Sequence, residues 1–116
     1  MPIEAHTSRC YARQVTRHER AIARSCALHA AIVERLEQDP SLVARARERV
    51  EGWLRDGSVA RTYAEAWQKE LEAPLPELLV ALVERTEHMN DLRQVSPFAG
   101  VLDARTRWRV RKSVHA

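Results

Sequence analysis

The sequence predicts an all-α fold, a compact bundle of five to six short helices. Every apolar pattern longer than six residues repeats at three- and four-residue steps, the period of one helix face. No strand-like alternation, internal repeat or low-complexity tract interrupts that reading. Three glycines, three tryptophans, two tyrosines and one phenylalanine are too few for a sandwich or barrel, which needs many turns and aromatic strands. A chain of 116 residues leaves no room for a second independent core, so one domain is expected over residues 16–116.

The elements follow in chain order. Residues 1–15 lack periodicity and read as a basic, flexible arm. Thr16 is a helix cap, and Glu19 three residues on completes a capping box. Ile22, Cys26, His29, Ile32, Val33 and Leu36 then form one helical stripe ending near Gln38. Asp39-Pro40 reads as an N-cap followed by proline at the first helical position, where no N–H is needed. Leu42, Val43, Ala46, Val50, Trp53 and Leu54 make the second stripe, closed by Gly57. Ser58 opens a third helix carrying Tyr63, Trp67 and Leu71, which Pro74 and Pro76 end.

The segment Leu75 to Val83 is apolar almost all round and is expected to be the central helix. Thr86 recaps the chain for a short piece through Met89 and Leu92. Ser96-Pro97 opens a turn to Leu102, and Asp103 caps a last helix with Trp108, Val110 and Val114. Trp53, Trp67 and Tyr63 lie on the inward stripes and are expected to anchor the core.

Charge is unevenly spread. The net charge is +3, but residues 1–24 and 103–116 are each basic and the stretch between them is acidic. Basic ends on an acidic body suit an acidic partner, nucleic acid, or the body of a sister chain in a homodimer. The longest apolar run, Leu78 to Val83, is far short of the ~20 residues of a membrane span. The arginine-bearing start has no apolar run of the kind a secretory signal carries. Two cysteines in such a chain suit free thiols in a reducing compartment, so a cytoplasmic location without membrane contact is expected.

No residue constellation carries obvious chemistry. His6, Cys10, Cys26 and His29 supply zinc-type atoms, but their spacing matches no finger or ribbon, and core packing is the commoner fate of such residues. His18-Glu19 begins a zincin motif that fails at Ile22, where the second histidine belongs. Gly52, Gly57 and Gly100 form no phosphate loop. Cys26 and His29 would make a nucleophile–base pair without a third, orienting group. So short a helical chain leaves little room for a substrate cleft. No enzyme activity, cofactor or metal is therefore expected. The run Arg105-Thr106-Arg107-Trp108-Arg109-Val110-Arg111-Lys112 places five cations around an aromatic ring, as a phosphate-contacting helix or as a solvated rim on a packed tryptophan.

Several strings together carry a family resemblance. Leu28-His29-Ala30-Ala31-Ile32 precedes Asp39-Pro40, and Tyr63-Ala64-Glu65-Ala66-Trp67 precedes the leucine-rich helix. Leu92-Arg93-Gln94-Val95-Ser96-Pro97-Phe98-Ala99-Gly100-Val101-Leu102 then leads into the tryptophan-bearing basic helix. This arrangement resembles small helical bacterial antitoxins of type II toxin–antitoxin modules, over about residues 26–110. The resemblance implies a protein that binds and neutralises a cognate toxin, with operator DNA as a further partner, and it carries over no catalytic residue. The expected partner contacts are Phe98 as an apolar anchor, with Arg93, Arg105, Trp108 and Arg109 around it. The alternative is a stand-alone helix-turn-helix-type transcriptional regulator, with Arg107, Arg111 and Lys112 on DNA phosphates.

Overall fold

Twenty-two residues of α1 (Arg17–Gln38) organise the chain. The structure, a computed structural model, describes residues 16–115. After α1 come α2 (Leu42–Asp56), α3 (Arg61–Leu71), α4 (Leu75–Leu82), α5 (Glu87–Arg93) and α6 (Ala104–His115). No strand occurs among the described residues, so the fold is an all-α bundle of six helices over that range. The arm expected over residues 1–15 lies outside the described residues. No helix among them is long and apolar enough to cross a membrane.

Local chemistry sets most boundaries. Thr16 Oγ1 accepts the Glu19 N–H at 3.0 Å, the cap that starts α1. Gly57 ends α2 with φ +70°, a left-handed conformation that glycine adopts without a Cβ penalty, and its N–H bonds the Trp53 carbonyl. Thr86 Oγ1 accepts the Met89 N–H and starts α5. Asp103 Oδ1 accepts the Thr106 N–H at 2.7 Å and starts α6.

Two boundaries differ from the sequence reading. Asp39-Pro40 forms a tight turn first, with Leu42 and Val43 donating to Asp39 and Pro40 carbonyls, and α2 begins at Leu42. Ser58 is spent on a turn, its N–H donating to Asp56 Oδ1, so α3 starts at Arg61 behind Ala60.

The helices pack around α1. It contacts α4, α5 and α6, while α2 and α3 form a helical hairpin whose second arm also meets α4 and α5. Ile32 and Leu36 of α1 join Val43, Ala46 and Val50 of α2, Trp67 and Leu71 of α3, and Leu78 and Leu82 of α4 in one core. Met89, Leu92, Phe98 and Leu102 complete it. The expected central role of the leucine-rich segment is not realised. It forms a two-turn helix that buries Leu78 and Leu82 but leaves Val80 65% exposed. It touches α1, α3 and α5, as many helices as α1 touches, but only the Leu78 and Leu82 side of its two turns is buried.

Trp67 is the largest wholly buried side chain, and Trp53 and Tyr63 only pack half-buried against the core. Its indole N–H reaches the Leu92 and Val95 carbonyls at 3.1 and 2.6 Å, and its ring meets Phe98 edge-on with centroids 6.0 Å apart. Trp67→Ala is therefore expected to remove ~3–5 kcal/mol of stability, the range for a large aromatic lost from a core. Denaturant unfolding of Trp67→Ala beside Trp53→Ala checks this. Equal losses would mean that Trp67 is not the main filler.

Candidate functional site

A cleft of ≈570 Å³ opens between the first half of α1, the end of α5, the 96–102 turn and α6. The sequence reading left little room for such a space. It arises because α6 rests on α1 through a thin stripe. Only Thr106, Val110 and Val114 of α6 are half-buried among its described side chains, and none belongs to the core.

The cleft wall on the α1 side is built at four-residue spacing. Ser25 and His29 share one face of α1, with Leu28 and Ile32 beside them. His29 is buried, and both ring nitrogens are engaged. Nδ1 lies 2.7 Å from the Ser25 carbonyl oxygen, which can only accept, so Nδ1 carries the proton. Nε2 is then the acceptor for the Ser96 hydroxyl at 2.8 Å. The Ser96 oxygen in turn accepts the Phe98 N–H at 3.1 Å. Burial pulls the His29 pKa from 6.5 down to about 4, against the opposing effect of the Ser25 carbonyl, and the Arg93 charge lowers it further. The ring is neutral at pH 7. Ser96 and His29 have the spacing of a nucleophile–base pair, yet a base with that pKa is poorly matched to neutral pH and no carboxylate orients it. The pair fastens the 96–102 turn to α1.

Arg93 forms the end of the cleft, only 3% exposed. Its Nη1 donates to the Leu82 carbonyl and its Nη2 to Asn90 Oδ1. Its Nε is buried without a partner. No carboxylate lies in ion-pair contact with it among the described residues. Burial accordingly lowers its pKa from the ordinary arginine value. The Arg93 carbonyl accepts the Ser25 hydroxyl, which ties α5 to α1.

The two faces of α6 differ. Arg107 and Arg111, one turn apart, line the cleft with Arg24 of α1. No aspartate or glutamate is among the described residues that line it. On the outer face Trp108 is 61% exposed and the Lys112 ammonium sits 4.7 Å from its ring centroid. Arg105 and Arg109 are exposed on that side, and no ion pair among the described residues involves α6.

These positions revise the expected contacts. Phe98 is wholly buried and fills the core beside Trp67, so it presents no apolar anchor to a partner. Proline and glycine around it shape the turn that plugs it inward, with Gly100 at φ +94°. Arg93 likewise serves carbonyls inside the protein instead of an outer surface. Arg105, Trp108 and Arg109 are on the outside, and Arg107 and Arg111 face the cleft. Sequence reasoning passed over the Ser96–His29 contact because it joins residues 67 positions apart. His6 and Cys10 lie outside the described residues. Cys26 donates to the Val83 carbonyl, and no metal-holding group of three His, Cys, Asp or Glu occurs among the described residues. No family model, curated protein or solved structure matches the chain.

The neutral His29 gives a signed pH dependence. Its folded pKa of about 4 lies below the ordinary 6.5, so between those values the unfolded chain binds the extra proton. Stability is full above pH 6.5 and falls as the pH drops toward 4, by about 3 kcal/mol across the window. Urea unfolding at pH 7, 5.5 and 4.5 measures this slope, and His29→Gln is expected to flatten it. An unchanged slope in His29→Gln would assign the acid sensitivity to other groups.

Proposed function

We propose that the protein acts by binding, as an antitoxin-type protein that neutralises a co-encoded toxin through the outer face of α6. One observation carries this reading: Trp108 stands exposed on a helix whose cations have no acidic partner among the described residues. Tryptophan and arginine are the side chains that most often dominate binding energy at protein interfaces. Lys112 braces the ring, and Arg105 and Arg109 flank it, so an acidic rim around an apolar pocket is the complementary surface. Covering a toxin's active site requires a surface and no chemistry, and the buried, low-pKa His29 fits a structural role better than a catalytic one.

The experiment is co-expression of the adjacent gene with and without this one, followed by pull-down. Rescue from toxicity and a stable complex are expected. Trp108→Ala is expected to weaken that complex by ~2 kcal/mol or more, the scale of an interface anchor. Lys69→Ala, an exposed cation on α3, is expected to leave it unchanged. A neighbour that is harmless alone, or toxic yet neither bound nor rescued, overturns the reading. Duplex DNA binding with a steep salt dependence and no protein partner would replace it with the stand-alone regulator, whose phosphate contacts would be Arg107, Arg111 and Lys112.

A further inference from the structure

We infer that the cleft between α1 and α6 is a binding site for a small organic anion, a carboxylate or phosphoryl group carried on an apolar body. The site is on a different face of α6 from the one proposed to meet a partner protein, and the inference stands or falls independently of that proposal.

Three observations converge. The cleft's ≈570 Å³ lies within the size range of small-molecule sites. Its charge has one sign: Arg107 and Arg111 reach it from α6 and Arg93 closes its end, with no acidic side chain among its described lining residues. Guanidinium groups bind carboxylate and phosphoryl oxygens with paired N–H donors, and charge-assisted bonds of this kind are roughly twice as strong as neutral ones. Arg93 supplies the independent sign of a missing anion. It is a buried cation with no ion-pair partner among the described residues, and its buried Nε bonds to nothing. Glu84 attracts this charge only from outside ion-pair contact, and an anion seated in the cleft would offset the cost of its burial further.

The rest of the lining selects the ligand further. Leu28, Ile32 and Leu102 give the cleft apolar wall. A bare inorganic ion leaves that wall unused, whereas an aromatic or aliphatic body covers it. The Ser96 hydroxyl already donates to neutral His29, so Arg107 and Arg111 are the donors proposed for the anionic end. Because Arg107 and Arg111 belong to α6 while Arg93 belongs to α5, an anion between them bridges α6 to the body.

The test uses calorimetric titration and thermal unfolding of the full chain with phenyl phosphate, benzoate, inorganic phosphate and benzyl alcohol. Saturable one-to-one binding of phenyl phosphate or benzoate, with a raised unfolding midpoint, is expected. Which of the two binds more tightly tells a phosphoryl site from a carboxylate site. Inorganic phosphate is expected to bind more weakly than phenyl phosphate, and benzyl alcohol not to bind. The exposed pair Arg107→Gln/Arg111→Gln is expected to weaken binding about tenfold or more, whereas Arg105→Gln/Arg109→Gln on the outer face leaves it unchanged. A bound anion also offsets the Arg93 charge beside His29, so the histidine ring should titrate at higher pH in the complex when followed by NMR. No saturable binding of either aromatic anion at millimolar concentration overturns the inference. Equal losses in the two double variants, or an unmoved His29 titration, would reduce any binding to general surface attraction and overturn it as well.

Discussion

The indole of Trp67 is the constraint on which the rest of the architecture depends. Its single N–H is shared by the carbonyls of Leu92 and Val95, at the point where α5 has run out of internal donors. The Leu92 carbonyl also accepts the Val95 N–H, whereas the indole is the donor that meets the Val95 carbonyl, which without it would be left part-buried and unpaired. The ring therefore fixes the end of α5 against α3 and, through its edge-on contact with Phe98, fixes the start of the 96–102 turn. The turn then delivers Ser96 to His29 on α1. Core, turn and cleft wall are thus linked in series from one side chain.

The same region holds two groups that a purely structural core would avoid. His29 is buried as a neutral ring, which is tolerable because both nitrogens are bonded and the proton position is dictated by a carbonyl. Arg93 is different in kind. It terminates α4 usefully, since Nη1 reaches the Leu82 carbonyl where that helix has no further N–H to offer. A neutral donor would do that without a desolvated charge. Asn90 offers only an amide oxygen to Nη2, and nothing meets Nε. The charge of Arg93 is thus in excess of what packing and capping require.

Local signals were legible where one residue acts on its own neighbours. Thr16, Gly57, Thr86 and Asp103 each set a helix end as their side chains or backbone freedom dictate, and the stripes Cys26–His29–Ile32–Leu36 and Val43–Ala46–Val50 face the core as their spacing requires. Signals failed where the outcome depended on competition. Asp39 and Ser58 could cap a helix or a turn, and the turn won because the following backbone was already committed to it. The leucine-rich segment looked central from its apolarity alone. Apolarity all round does not bury a helix all round: Leu78 and Leu82 meet the core, while Val80 on the other side faces outward. Phe98 reads as an anchor in the sequence because its inward direction is set by Trp67, thirty-one positions away in the chain. The cleft was invisible for the same reason: its residues come from three helices and a turn.

The sequence of α6 works against its own helix. Arg105 and Arg107 stand in the first turn, where the helix dipole disfavours positive charge, and no acidic residue occupies that turn. The pairs Arg105/Arg109 and Arg107/Arg111 repel each other at i,i+4 spacing. Only the Asp103 carboxylate, held below the usual carboxylate range by the Thr106 N–H it accepts, opposes these effects at the N-terminus. The helix also adds nothing to the core cluster. A helix selected for stability alone would carry acids early and bury a wider stripe. Local rules are broken in this way where a surface is kept for a partner or ligand. The rotation of about 100° per residue then divides the cost between two faces: Arg107 and Arg111 turn to the cleft, and Arg105, Trp108 and Arg109 turn outward. Neutralising the inner pair would relieve the Arg107–Arg111 repulsion along the helix that displays the outer face.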